Sequence, residues 1–285
     1  MRKKWINKVA VIGMLSCFVL TACGNEKEDI KTGKNETVIE ETDSNKRGNS
    51  ETESQNTEME SEVSEIEMES EVAESKTPVV LAETEDMGQE YLDKIIFLGD
   101  SRTYSYKAYG VLSGGKETTQ VWTPKSGTMA LYEQGYVMIR YPETGTDMTV
   151  REAVKLKQPE YMVIGLGTNG MASMSEEVFK AEYKALINDI KSLSPNTKIM
   201  LNSIYPVANY YKNLDQINNQ KIAERNQWII QIAEETGVKF LNTSEVLTDE
   251  NGWLNIDYDN GGGATHLNKV GNELVMNYIR THGYQ

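Results

Sequence analysis

Cysteine is nearly missing from this chain. Cys17 and Cys23 are the only two in 285 residues, and both lie at the extreme front. A disulfide framework, a cysteine nucleophile and a thiolate metal site are therefore excluded from the rest of the protein. Histidine is almost as scarce: His266 and His282 are the only two. Chemistry that needs an imidazole base near neutral pH must use one of them. His282 stands four residues from the end and reads as a solvated helix-end residue. That leaves His266 to carry any such role. Aromatic residues are missing from Gly24 to Glu90. No long apolar run exists outside the first 23 residues.

Those first residues form a targeting segment that takes no part in the fold. Arg2, Lys3, Lys4 and Lys8 make a basic flank, and Val9 to Leu20 is an apolar core too short for a membrane span. Leu20-Thr21-Ala22-Cys23 follows and resembles a bacterial lipobox, in which Cys23 is lipidated and becomes the mature N-terminus. A plain secretory signal with a coincident cysteine is the alternative. The expected location is thus the cell membrane, anchored through lipid on its extracytoplasmic face.

Residues 24–88 are rich in Glu, Ser, Thr and Asn, with Met59-Glu60-Ser61-Glu62-Val63 repeated as Met68-Glu69-Ser70-Glu71-Val72. Such a composition cannot bury enough apolar surface to offset ordering entropy, so a disordered acidic tether is expected. From Gly24 to Glu90 there are 6 basic and 21 acidic residues; from Tyr91 onward there are 19 and 22. The acidity belongs to the tether. It argues against a nucleic-acid partner and says nothing of the substrate. A self-repelling chain of this length could hold a head tens of ångströms from a bilayer, and over ~100 Å when stretched.

Residues 89–285 read as one domain, in which strand-like apolar runs alternate with helical ones. Lys94–Leu98, Tyr161–Gly165, Lys198–Ile204 and Val238–Leu241 read as strands, with Gln120-Val121-Trp122 strand-like as well. Helical stretches are expected at Ala153–Lys157, after a capping box at Ser173-Met174-Ser175-Glu176, at Asn218–Thr236 and at Leu267–Thr281. The alternation predicts an α/β fold: a parallel sheet of about five strands with helices on both faces.

Chemistry gathers at the carboxyl ends of those strands. Gly99-Asp100-Ser101 follows the first, where a serine can be held rigidly with its hydroxyl toward a cleft; a helix cap is the plainer reading. Gly167-Thr168-Asn169 follows another strand on the same edge. The Asn169 amide can donate to an oxyanion, or Asn169 can simply tolerate a left-handed turn. Ser126-Gly127 offers a close backbone approach or an ordinary loop. Ala264-Thr265-His266 precedes the last helix.

In that order the blocks resemble the SGNH/GDSL hydrolase superfamily, over roughly Tyr91 to the C-terminus. The resemblance implies a three-layer α/β/α, flavodoxin-like fold and ester hydrolysis or acyl transfer without metal or organic cofactor. It implies Ser101 as nucleophile and His266 as base. The implied oxyanion hole is Ser101 N–H, Gly127 N–H and the Asn169 side chain. Two positions depart from the pattern: Gly170 and Gly263 stand where the family usually has Asp. The second Asp would orient the imidazole. Asp259 or Asp257 could reach back to fill the role, with Asp259 as the candidate third member. A backbone carbonyl could orient the ring instead, or the site could be weakened. Asp257-Tyr258-Asp259-Asn260-Gly261 is too short for a calcium loop and reads as a tight turn.

The implied activity is a lipid-anchored serine esterase, expected as a monomer, that removes acyl groups, acetyl first among them, from a carbohydrate or small ester. An O-acyltransferase with the same residues and a surface lipoprotein that binds without turnover are the alternatives. Tyr104, Tyr106, Tyr109, Tyr205, Tyr210 and Tyr211 near the motifs could stack on sugars or simply pack. Arg102 could meet an acidic substrate group, or be an exposed residue of a first helical turn.

Overall fold

A computed structural model of the chain describes residues 78–285. The expected targeting segment, Cys23 and most of the expected tether lie outside the described residues. Five parallel strands form the central sheet: β1 (Ile95–Gly99), β2 (Val121–Trp122), β5 (Tyr161–Gly165), β6 (Lys198–Asn202) and β7 (Lys239–Leu241). The strands β3 (Met138–Tyr141) and β4 (Thr146–Thr149) pair separately as an antiparallel hairpin. The sheet order is β2-β1-β5-β6-β7. Counting only its parallel strands, this is the flavodoxin-like order, with its switch point between β1 and β5.

The strand residues divide cleanly between two cores. On one face Ile96, Leu98, Met162, Ile164, Ile199 and Leu201 pack with α3 (Val150–Lys157), α4 (Glu176–Leu193) and α5 (Asn219–Thr236). On the other, Ile95, Phe97, Tyr161, Val163 and Met200 pack with α1 (Gly88–Asp93), α2 (Ser101–Ala108) and α6 (Lys269–Thr281). Near-continuous apolar strands are what a sheet covered on both faces requires. The expected three-layer α/β/α sandwich is the observed one.

Element ends follow local chemistry. Asn218 and Asn268 cap α5 and α6 by accepting from Lys221 N and Gly271 N. The α4 cap is Ser175, which accepts from Val178 N at 3.3 Å, rather than Ser173 as the box suggested. Pro195 stands just beyond the end of α4.

The tether boundary also moves. Residues 78–88 lie against the head rather than extending from it. Val80 forms a parallel bridge with Phe240, Phe240 N donates to Val79 O, and Leu81 N donates to Phe240 O, each of these bonds being 2.9 Å. Leu81 is buried in the second core. Val79-Val80-Leu81 is an apolar triplet that an acidic average over 24–88 conceals. It covers the free edge of β7.

Candidate active site

β1 ends on Gly99, opposite Gly165 of β5. A methyl group on Gly99 would lie 2.1 Å from Thr103 Oγ1 and 2.6 Å from the Gly165 carbonyl. Glycine is what lets α2 start immediately and pack its first turn onto the strand. Asp100 caps that helix: Oδ1 accepts from Arg102 N at 3.0 Å. The cap reading of Gly-Asp-Ser thus holds for Asp100, and Ser101 follows it at the start of the helix. Ser101 opens the helix, where first-turn N–H groups have no intrahelical partner.

His266 arrives from the far end of the sequence. Ser101 Oγ and His266 Nε2 are 2.8 Å apart. Their meeting is secured by the buried Asn272 of α6. Its Oδ1 accepts from Ser105 Oγ of α2 at 2.6 Å, and its Nδ2 donates to Asn268 O at 2.7 Å. The α2 helix and the turn before α6 are thereby tied together, one turn from each reacting side chain.

The other ring nitrogen has an unexpected partner. His266 Nδ1 lies 2.9 Å from Thr265 Oγ1. With Nε2 accepting from serine, Nδ1 carries the proton and donates it to threonine. Asp259 does not take this place. Its Oδ2 accepts from Gly261 N at 2.8 Å and from Tyr210 OH, and its Oδ1 is buried with no partner among the described residues. Asp257 is exposed. Gly263, where the acid was expected, has φ 125°, a conformation that L side chains rarely adopt. Thr265 had no signal in the sequence beyond adjacency to His266.

Burial lowers the His266 pKa, the Arg102 charge lowers it further, and Asp259 partly offsets both. The first two effects favour the neutral ring. Burial also raises Asp100, to about 6, against the opposing charge of Arg102.

The expected oxyanion donors fare unequally. Ser101 N–H sits at the helix start as required. The Gly127 N–H instead donates to Pro124 O at 2.8 Å, closing a turn, so it does not face the serine as a free donor. Asn169 does converge on the site. Its Nδ2 donates to Asp100 Oδ2 and to Met129 O, both at 3.1 Å, so both hydrogens are engaged.

The Arg102 and His282 readings change, and the tyrosines divide between core and surface. Arg102 is not an exposed helix-turn residue; it is 8 % exposed, with Nη1 donating to Tyr205 O at 3.1 Å. Tyr106 and Tyr205 are core, while Tyr104 and Tyr210 are exposed, as is Tyr132. His282 is buried rather than solvated, stacked on Tyr278 with ring centroids 3.7 Å apart.

The sequence model of the GDSL-like lipase/acylhydrolase family matches residues 97–274, a span that contains Ser101, Asn169 and His266. The chain belongs to that family. No curated protein matches it. Among solved structures, this acylhydrolase-family chain is similar to a GDSL-like lipase from Bacteroides thetaiotaomicron, at 19 % identity and TM-score 0.46, over 65 % of this chain and 85 % of that one. It is also similar to the periplasmic domain of a lipopolysaccharide acetyltransferase from Salmonella ser. Paratyphi A, at 15 % identity and TM-score 0.42, over 65 % and 82 % of the two chains. A third is an acetyl xylan esterase, at 18 % identity and TM-score 0.45, over 65 % and 96 %.

Proposed function

We propose that this protein is a serine esterase that removes acetyl or similarly small acyl groups from a carbohydrate. The observation that carries the reading is the 2.8 Å contact of Ser101 Oγ with His266 Nε2 at the switch point of the sheet. Ser101 Oγ attacks the ester carbonyl while its proton passes to Nε2. The C–O bond to the sugar breaks, and the sugar oxygen takes the proton back from Nε2. Water then attacks the acyl-serine with His266 again as base, releasing the acid and restoring the hydroxyl. The Ser101 N–H and the positive end of α2 face the developing oxyanion. Asn169 joins them by exchanging its bond to Met129 O for one to the oxyanion. Thr265 fixes the tautomer, and no carboxylate touches the imidazolium.

Support for a sugar comes from exposed tyrosines on the segments that carry the site. Tyr104 follows Ser101 within α2, and Tyr210 bonds Asp259 beside the histidine loop. Tyr132 packs closely on Gly170, next to Asn169. Such rings give flat faces for sugar stacking at low entropic cost. We further propose, from the lipobox alone, that lipid on Cys23 holds the head outside the cytoplasmic membrane.

The test is acetate release from an O-acetylated oligosaccharide by the full chain and by Ser101→Ala. Turnover by the wild type and none above background by the variant is expected; equal turnover sinks the serine mechanism. The engaged donors of Gly127 and Asn169 favour a second reading, binding without turnover. It predicts that both proteins bind the oligosaccharide and neither releases acetate.

A further inference from the structure

Arg102 is the buried charge that the proposed mechanism leaves unused. It is 8 % exposed, yet its Nη2 has no hydrogen-bond partner among the described residues. A buried unpaired guanidinium N–H is costly, and native proteins rarely keep one without a use. The group is held in place rather than loose. Nη1 donates to Tyr205 O at 3.1 Å, and the guanidinium carbon lies 5.6 Å from the Tyr205 ring centroid. Tyr205 is itself fixed by Tyr106 OH and by Asn202 Nδ2.

Arg102 lines a small pocket at the carboxyl edge of the sheet, together with Thr103, Thr168, Asn202, Ser203 and Tyr205. The pocket has room for about one water-sized group, the size of a single carboxylate oxygen. Among the described residues no carboxylate closes an ion pair with Arg102, although Asp100 is close enough to be felt electrostatically. Arg102 directly follows Ser101, and its charge reaches the His266 ring.

We infer that Arg102 Nη2 receives a carboxylate oxygen of the substrate, so that the esters this site prefers are acylated acidic sugars. The inference rests on the esterase reading and deepens it by naming the substrate class. The bound carboxylate gives the orphaned N–H its partner. It also offsets the positive charge that opposes imidazolium formation on His266. The substrate thereby supplies part of the negative charge that Gly263 cannot supply.

A matched pair of substrates tests this with the full chain: an O-acetylated methyl uronoside and its neutral uronamide. A charge-assisted bond predicts that wild type prefers the carboxylate ester by about tenfold or more in kcat/KM. In Arg102→Gln the ratio between the two esters should fall to within about twofold of unity, whatever the absolute rates. Arg102→Lys, which keeps the charge, should retain an intermediate ratio. The wild-type ratio needs no variant to fold. Equal turnover of the pair by wild type overturns the inference while leaving the esterase reading standing. So does a preference that survives in folded Arg102→Gln. Equal turnover that rises or falls together with added chloride or acetate assigns the cavity to a free small anion, which likewise overturns it. No turnover of either ester by wild type sinks the esterase reading and the inference with it.

Discussion

Replacing Thr265 by Val removes the partner of His266 Nδ1 with little change in shape. The contact is 2.9 Å long and half-buried. A neutral hydrogen bond there contributes about 1 kcal/mol, and the same bond to an imidazolium about 1.5–3 kcal/mol. Only the difference between the two states slows the reaction. Roughly 0.5–2 kcal/mol of lost transition-state stabilisation lowers kcat/KM by about 2- to 30-fold. Thr265→Ser should recover most of the loss. Asp259→Asn is the contrasting variant. Because Asp259 acts on the ring only through space, its loss should change kcat/KM by no more than about threefold. A triad carboxylate replaced by its amide instead lowers kcat by about 10⁴. Steady-state rates on a chromogenic acetyl ester, with thermal melts to confirm folding, read both variants. A loss near 10⁴ in Asp259→Asn, with Thr265→Val unaffected, would refute the assignment of Thr265 as the orienting group.

Two further expectations concern pH and the β1–α2 corner. Because burial and Arg102 lower the His266 pKa, the base is neutral, and kcat/KM should rise with pH to half-height below 6.5 and stay level above it. A half-height above 6.5 would show a carboxylate stabilising the imidazolium. Gly99→Ala forces a methyl group into Thr103 Oγ1 and the Gly165 carbonyl. It should reduce stability by about 1–3 kcal/mol, read as a fall of several degrees in Tm, and reduce activity by displacing Ser101. Unchanged melting and rates would mean that the corner does not set the position of the serine.

The sheet was legible because its strands are buried on both faces and therefore read as unbroken apolar runs. Tyr161–Gly165 and the caps Asn218 and Asn268 carry their signals locally. The hairpin of β3 and β4 was not legible: Met138–Tyr141 alternates exposed and buried, and Thr146–Thr149 has no apolar face. The 78–88 segment was lost in an acidic average. At the site, Ser101 and Asn169 were legible as residue types after strand ends, and His266 by the scarcity of histidine. Their partners were not. Whether Nδ1 meets Thr265 or Asp259 depends on the Gly261–Gly263 turn and on Tyr210 capturing the Asp259 carboxylate. The burial of Arg102 depends on Tyr205, 103 residues away in sequence.

The central claim is that Ser101 is a nucleophile activated by His266. Intact-mass and peptide-mapping analysis after exposure to a fluorophosphonate measures this directly. The account predicts one adduct, on Ser101, formed much more slowly in His266→Ala and missing in Ser101→Ala. A folded wild-type protein that takes up no label, or an adduct that persists in Ser101→Ala, would contradict it.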